Sequence, residues 1–250
     1  MSWLDDIGKV IPITELYRDL AQPATREVGE ALGNAAKVAR FALAPVDYLA
    51  AQHQRWKRYL ERLSEKVPEE RRIEAHPQLA GPVFAGLQYV EETSINAELF
   101  INLLARAIDR ERVSEAHPAF AQLITQLSPD EALTLFHLKR RTFTHRQYAV
   151  YKQESSTFGP RTTTQNEFPL QQLVFPGNFE LYMDHLHSLN LAGIWQDGNQ
   201  EPITEGSPPR QTGVNIKNII TLESFGRMFA HACVPEDLNP QWVQGLERRK

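Results

Sequence analysis

The spacing of apolar residues between positions 95 and 108 constrains the fold more than any other feature of this chain. Apolar side chains recur there every three or four residues, with neighbours one position further round, which is typical of a helix with a broad buried face. They are Ile95, Leu99, Phe100, Leu103, Leu104, Ala107 and Ile108. The spacing predicts a helix at the centre of a hydrophobic core.

Two marked helix starts follow this segment. At His117-Pro118 the chain restarts, because a residue before proline avoids the helical region whereas proline suits a first helical turn. The stretch Ser128-Pro-Asp-Glu131 has the form of a capping box, in which the serine accepts from a free amide and the glutamate reaches back. We therefore predict a central helical region at 73–128 and a new helix from Pro129.

Several short motifs occur in a fixed order along the chain. They are the stretch from Tyr17 to Gly33, Leu43-Ala-Pro45, Leu79-Ala-Gly-Pro82, Leu103-Leu-Ala105, His117-Pro118 and Leu127-Ser-Pro-Asp-Glu131. In this order and spacing they resemble the Abi-alpha family of bacterial abortive-infection proteins, and the similarity extends over residues 17–232. The resemblance implies a role in defence against phage, and it carries over no catalytic residue.

The composition limits the classes of partner. The 250 residues include 27 Lys and Arg against 31 Asp and Glu, so the net charge of −4 argues against a chain-wide attraction to nucleic acid but leaves a local patch open. The lone Cys233 cannot form an internal disulfide and fits a reducing compartment. The acidic start of the chain is unlike a secretory signal, and no window approaches the roughly 20 apolar residues of a spanning helix. We expect a cytoplasmic protein.

Residues 1–72 are predicted to be N-terminal helices. Between residues 24 and 43 small side chains dominate, and Lys37 and Arg40 share one side. Such a segment can pack tightly against other helices or lie on a membrane surface through a basic face. Its acidic residues weaken attraction to anionic lipid, which favours packing. Residues 47–72 predict a charged helix with a solvated face of mixed sign.

Residues 129–235 differ in residue pattern from the helical region before them. Residues 236–250 are expected to be a tail. The predicted elements are a helix at 129–140, a strand at 142–152, a loop at 155–167, a helix at 178–191, a strand at 194–195, a loop at 197–213, a strand at 214–222 and a helix at 223–233. This order is that of a winged-helix domain. The predicted fold class is therefore mainly α, with an N-terminal and central helical region followed by a winged-helix-like α+β region.

Two candidate contact surfaces lie in this C-terminal region. Basic residues beside aromatics suit single-stranded nucleic acid, in which bases stack and phosphates pair, although a charge-blunted edge strand has the same composition. The candidate nucleic-acid contacts are Lys139, Arg140, Arg141, Phe143, Arg146, Tyr148, Tyr151 and Lys152. The helix at 178–191 carries acids and no Lys or Arg, which favours packing or protein contact over DNA. Its candidate protein-contact face is Phe179, Tyr182, Met183 and Leu186.

The sequence contains no recognisable catalytic or metal-binding motif. His185 and His187 are two residues apart and lie on different faces of a helix, so they cannot share one ion. The acids Asp130 and Glu131 are explained by helix capping. We expect no catalytic, cofactor or metal residues, and leave an enzymatic activity open. A protein partner or homo-oligomer is expected, and nucleic acid or a membrane surface through 139–152 or 24–50 is the alternative.

Overall fold

The computed structural model describes residues 54–244. These divide into two compact units, the first made of residues 54–92 and 97–125, the second of residues 93–96 and 126–244. The segment 24–50, to which we assigned packing or a membrane surface, lies outside the described residues, as do the last six residues of the predicted tail.

The first unit is helical. It contains helix α1 (residues 54–66), helix α2 (Pro77–Leu87), most of helix α3 (Ile95–Ala107) and most of helix α4 (Ala119–Gln126), with 3₁₀ turns at Glu69–Arg71 and Val113–Glu115. Leu99, Phe100, Leu103 and Leu104 on α3 are no more than 3% exposed. The helix predicted from their spacing is confirmed.

The mixed charge of α1 predicts a solvated face. In the structure, arginines on this face instead bind the chain that follows α2. Arg55 donates to the carbonyl oxygens of Leu87 and Val90, where α2 has ended. Arg58 binds both carboxylate oxygens of Glu92. Arg55 thereby satisfies carbonyl groups that the end of a helix leaves without partners, and Arg58 pairs with a carboxylate in the loop that follows. The face therefore holds the loop after α2.

The second unit is an α+β structure. Its helices are α5 (Pro129–Arg140), α6 (Phe179–Ser188), α7 (Ser224–Cys233) and α8 (Pro240–Gln244), with 3₁₀ turns at Leu170–Gln172 and Pro176–Asn178. Its strands are β1 (Phe143–Lys152), β2 (Thr157–Phe158), β3 (Thr162–Asn166), β4 (Ala192–Gln196), β5 (Glu201–Glu205) and β6 (Arg210–Leu222). The capping box predicted at the start of α5 is confirmed, because Ser128 and Glu131 exchange both hydrogen bonds.

A long antiparallel pair organises the sheet of this unit. Strands β1 and β6 are paired continuously from Phe143 opposite Ile220 to Val150 opposite Gly213. Strands β2 and β3 add to the free edge of β1, while β4 and β5 add to that of β6, and the sheet curls into a half-barrel. Phe143 and Ile220 lie on the inner face, which is buried. Successive residues point to opposite faces, so their neighbours lie on the outer face.

The predicted fold class is wrong. Within the described residues the chain is an α+β protein with a six-stranded antiparallel sheet, not a mainly α protein with a winged-helix-like region. The segments 155–167 and 197–213 were assigned to loops because of their Gly and Pro content. Gly198 and Gly206 lie where the chain turns, but Pro202 and Gly213 lie within strands, and β2, β3 and β5 extend the central pair as exposed edge strands.

The close approach of α2 to α3 generates a test of the first core. A Cβ atom at Gly86 would overlap the ring of Phe100, whereas nothing lies within 4 Å of one at Gly81 on the same helix. We expect Gly86→Ala to lower the free energy of unfolding by about 1–3 kcal/mol through overpacking. We expect the control Gly81→Ala to raise it by up to about 1 kcal/mol, because alanine favours the helix.

Urea unfolding followed by circular dichroism would measure both changes. Equal effects of the two substitutions would contradict the packing of Gly86 against Phe100.

Candidate functional site

The most distinctive polar feature of the second unit is a pair of buried carboxylates at the start of α5. Asp130 is 3% exposed and Glu131 is 4% exposed. A buried carboxylate is costly unless hydrogen bonds replace its water. The hydrogen-bond partners of Asp130 and Glu131 therefore show which parts of the chain these carboxylates hold in place.

Asp130 binds the segment that leads into α6 and α6 itself. Its carboxylate accepts hydrogen bonds from the backbone amides of Val174 at 2.8 Å and Phe175 at 3.0 Å. It accepts a third from the hydroxyl of Tyr182 at 3.0 Å. Burial, before any other cause, raises the pKa of Tyr182 above its ordinary value, which keeps this hydroxyl a donor.

Glu131 makes a second link to the same helix. One carboxylate oxygen completes the capping box with the amide of Ser128, and the other lies 2.5 Å from Nδ1 of His185. The His185 side chain is 37% exposed, so its contact with a nearly buried carboxylate fixes the orientation of a partly exposed imidazole.

The sequence did not reveal this network. Capping explains Glu131 in part, but Asp130 acts on residues 44 to 52 positions further along the chain. No local motif signals a contact across that separation. The only signal available was the presence of two acids in a first helical turn.

The segment held by these carboxylates presents two large apolar side chains. Phe175 is 62% exposed and Leu181 is 64% exposed. The side chain of Glu180 beside them is 62% exposed, and Asp184 one turn further is exposed as well. We call Phe175, Leu181, Glu180 and Asp184 the α6 surface.

The structure buries the four residues predicted to form a protein-contact face. Phe179, Tyr182, Met183 and Leu186 are each no more than 8% exposed. Phe179 stacks on the ring of Phe168 at 4.7 Å. These side chains serve the core of their own unit, and the apolar residues that remain accessible on this segment are those of the α6 surface.

The eight predicted nucleic-acid contacts are not brought together. At the end of α5, Lys139 donates to the carbonyl oxygen of Val234 and to Glu236, both at 2.7 Å. Arg140 donates to the carbonyl oxygen of Glu236. These two cations fix the chain after α7 and are already paired.

The other six lie along β1 or at its start. Arg141 covers the ring of Phe143, which is buried. Arg146, Tyr148 and Lys152 lie at alternate positions on the outer face. Tyr151 packs against Phe158 with ring centroids 5.1 Å apart.

A buried histidine lies in the middle of the inner face. His145 is opposite Asn218 on β6 and Asn166 on β3, and its Nε2 is 3.1 Å from the hydroxyl of Thr163. Its Nδ1 has no hydrogen-bond partner among the described residues. Burial lowers the pKa of His145, although Glu180 at 3.7 Å opposes the shift.

The part of the chain that the structure covers holds no group of three side chains suited to one metal ion. None of its helices is both long enough and apolar enough to cross a membrane.

Comparison with known families agrees with the sequence motifs. The model of the family described as Abortive infection alpha matches residues 51–233, which is most of the chain. The chain therefore belongs to the Abortive infection alpha family, and the resemblance described from its motifs is confirmed. No curated protein and no solved structure matches it.

The carboxylate network predicts a graded loss of stability. Asp130→Asn leaves one acceptor oxygen and sets an amide group against backbone N–H donors, so we expect the free energy of unfolding to fall by about 2–4 kcal/mol. Tyr182→Phe removes a single donor and should cost less, about 1–2 kcal/mol. Chemical denaturation of both variants measures the difference, and an Asp130→Asn protein as stable as the original would contradict the network.

The buried His145 and the partly buried His137 predict a pH dependence. Burial lowers the pKa of His145 and of His137 in the folded protein, while the unfolded values stay near 6.5. Between the folded and unfolded pKa values the unfolded state binds more protons, so the free energy of unfolding falls as the pH drops below about 6.5. For each histidine, the slope of the free energy of unfolding against pH reaches at most about 1.4 kcal/mol per pH unit.

Denaturation between pH 7 and pH 5 would measure this slope. We expect His145→Gln to be less stable at neutral pH but to show a shallower slope. An unchanged slope in that variant would contradict the contribution of His145.

Proposed function

We propose that this protein acts in abortive infection as a protein-binding or sensing module, with no catalytic step of its own. Membership of the Abortive infection alpha family supports the defence role. The α6 surface supports the binding role, because it combines exposed apolar side chains with a segment whose conformation is already determined.

The single observation that carries the proposal is the anchoring of Phe175 and Leu181. The backbone amide of Phe175 is bound by Asp130, and the helix that carries Leu181 is bound through Tyr182 and His185. Large apolar side chains on such a segment lose little conformational entropy when a partner covers them. They are therefore suited to act as the anchors that dominate binding energy at interfaces.

The charge around these anchors indicates the chemistry of the partner. Glu180 and Asp184 are exposed on the same helix, and α6 has no Lys or Arg. A complementary protein surface would offer an apolar pocket for Phe175 or Leu181 with basic side chains at its rim. Such rim charges affect the rate of association more than the affinity of the complex.

The alternative is an effector that acts on nucleic acid or on a membrane. The membrane version relies on residues 24–50, which lie outside the described residues. For the nucleic-acid version, reversing the charge of Lys139 and Arg140 is a poor test because both residues hold the chain near Glu236. Substitutions on the outer face of the sheet would separate binding from folding.

Phage plating tests the proposal directly. In cells expressing this chain we expect fewer plaques, together with early arrest or death of the infected cells. On a phage that is restricted in this way, replacing Phe175 and Leu181 by serine should restore plating, because the two substitutions remove the apolar anchors of the interface.

A matched control is Tyr89→Ser, which removes an aromatic side chain that is 87% exposed in the first unit. It should leave restriction unchanged. Full restriction by the Phe175 and Leu181 variant would contradict a binding role for the α6 surface, and normal plating across a broad phage panel would contradict the defence role. Circular dichroism would verify that both variants fold.

A further inference from the structure

A row of polar side chains that includes two opposed cations crosses the outer face of the sheet. Arg146 on β1 is directly opposite Lys217 on β6, and Gln165 on β3 continues the row beyond Arg146. Residues directly opposite each other on antiparallel strands present their side chains on the same face. All three are exposed, so the row faces solvent.

This pairing of like charges is unfavourable in the protein alone. Two cations in directly opposed positions destabilise a sheet. Lys217 is partly neutralised by Asp197, with 2.5 Å between Nζ and the carboxylate oxygen. Within residues 54–244, Arg146 makes no side-chain hydrogen bond or ion pair. An anion placed over the row would relieve the repulsion.

Aromatic rings lie on the same face on either side of this row. Tyr148 is two positions from Arg146 along β1, and its ring lies over Gly213, where a Cβ atom would come within 2.5 Å of the ring. Glycine at 213 therefore lets the ring lie against the sheet. On the other side, Trp195 of β4 is opposite Ile219 and is 44% exposed.

We propose that this outer face binds single-stranded nucleic acid. Arg146 and Lys217 would pair with phosphates, and Tyr148 and Trp195 would stack with bases on either side. Cations beside accessible aromatic rings are the features by which proteins hold single strands without reading their sequence. A duplex keeps its bases stacked inside and cannot use the rings.

The proposed surface differs from the basic segment at 139–152 that composition alone suggested. Lys139 and Arg140 are excluded because they hold the chain after α7, while Lys217 and Trp195 join from strands far along the sequence. It is also independent of the α6 surface, since none of its residues is shared.

The test is a titration of the full chain into a fluorescently labelled single-stranded oligonucleotide of about 15 nucleotides, as DNA and as RNA, followed by anisotropy. Binding should weaken as salt increases. Arg146→Glu should weaken it at least tenfold at low salt and reduce the slope of log affinity against log salt by about 0.7. Asp197→Asn should strengthen binding, because it frees Lys217.

Two controls keep the test specific. Lys57→Glu reverses an exposed lysine on α1 and should change the affinity little. Arg146→Glu should also raise the melting temperature, because it converts a like-charged pair into an opposite one. A loss of binding in that variant therefore cannot be attributed to unfolding.

Three results would overturn the proposal. The first is no saturable binding at about 50 mM salt, at which phosphate contacts are strong. The second is equal binding by the Arg146→Glu and Lys57→Glu variants. The third is competition by duplex as effective as that by single strands, which would indicate general charge attraction.

Discussion

The buried carboxylate of Asp130 is the constraint on which the second unit depends most directly. A charge that is 3% exposed must be satisfied by the protein itself. Asp130 meets this need with two backbone amides and the Tyr182 hydroxyl, and Glu131 adds the contact with His185. The entry to α6 and the helix itself are thereby tied to α5. Any activity that uses the accessible side of α6 relies on this anchoring.

The two faces of the sheet have different roles, because side chains alternate along a strand. The inner face carries Phe143, His145 and Ile220 and is closed to solvent. The outer face carries Arg146 and Lys217, which are exposed and opposed. A shift of one residue in the pairing of β1 with β6 would exchange these sets, so the buried apolar residues hold the register and with it the arrangement of the outer cations.

Family membership and geometry contribute different parts of the functional argument. The match to the Abortive infection alpha family connects the chain with phage defence, but it assigns no residue. Exposure, charge and hydrogen bonding are the grounds on which we propose the α6 surface and the outer face as binding surfaces. The two surfaces differ in chemistry, since one combines apolar anchors with acids and the other combines cations with aromatic rings.

The sequence by itself determined the features whose causes are local. The apolar spacing on α3 and the capping box at Ser128 depend on residues within a turn or two, and both were predicted correctly. The number of strands, the partners of Asp130 and the row formed by Arg146 and Lys217 depend on pairing between distant segments. The exposed, threonine-rich β3 has no apolar alternation that would predict a strand. It is a strand because it pairs with β1. The tertiary structure alone decided these features, since hydrogen bonds between strands and the burial of charge are properties of the assembled unit.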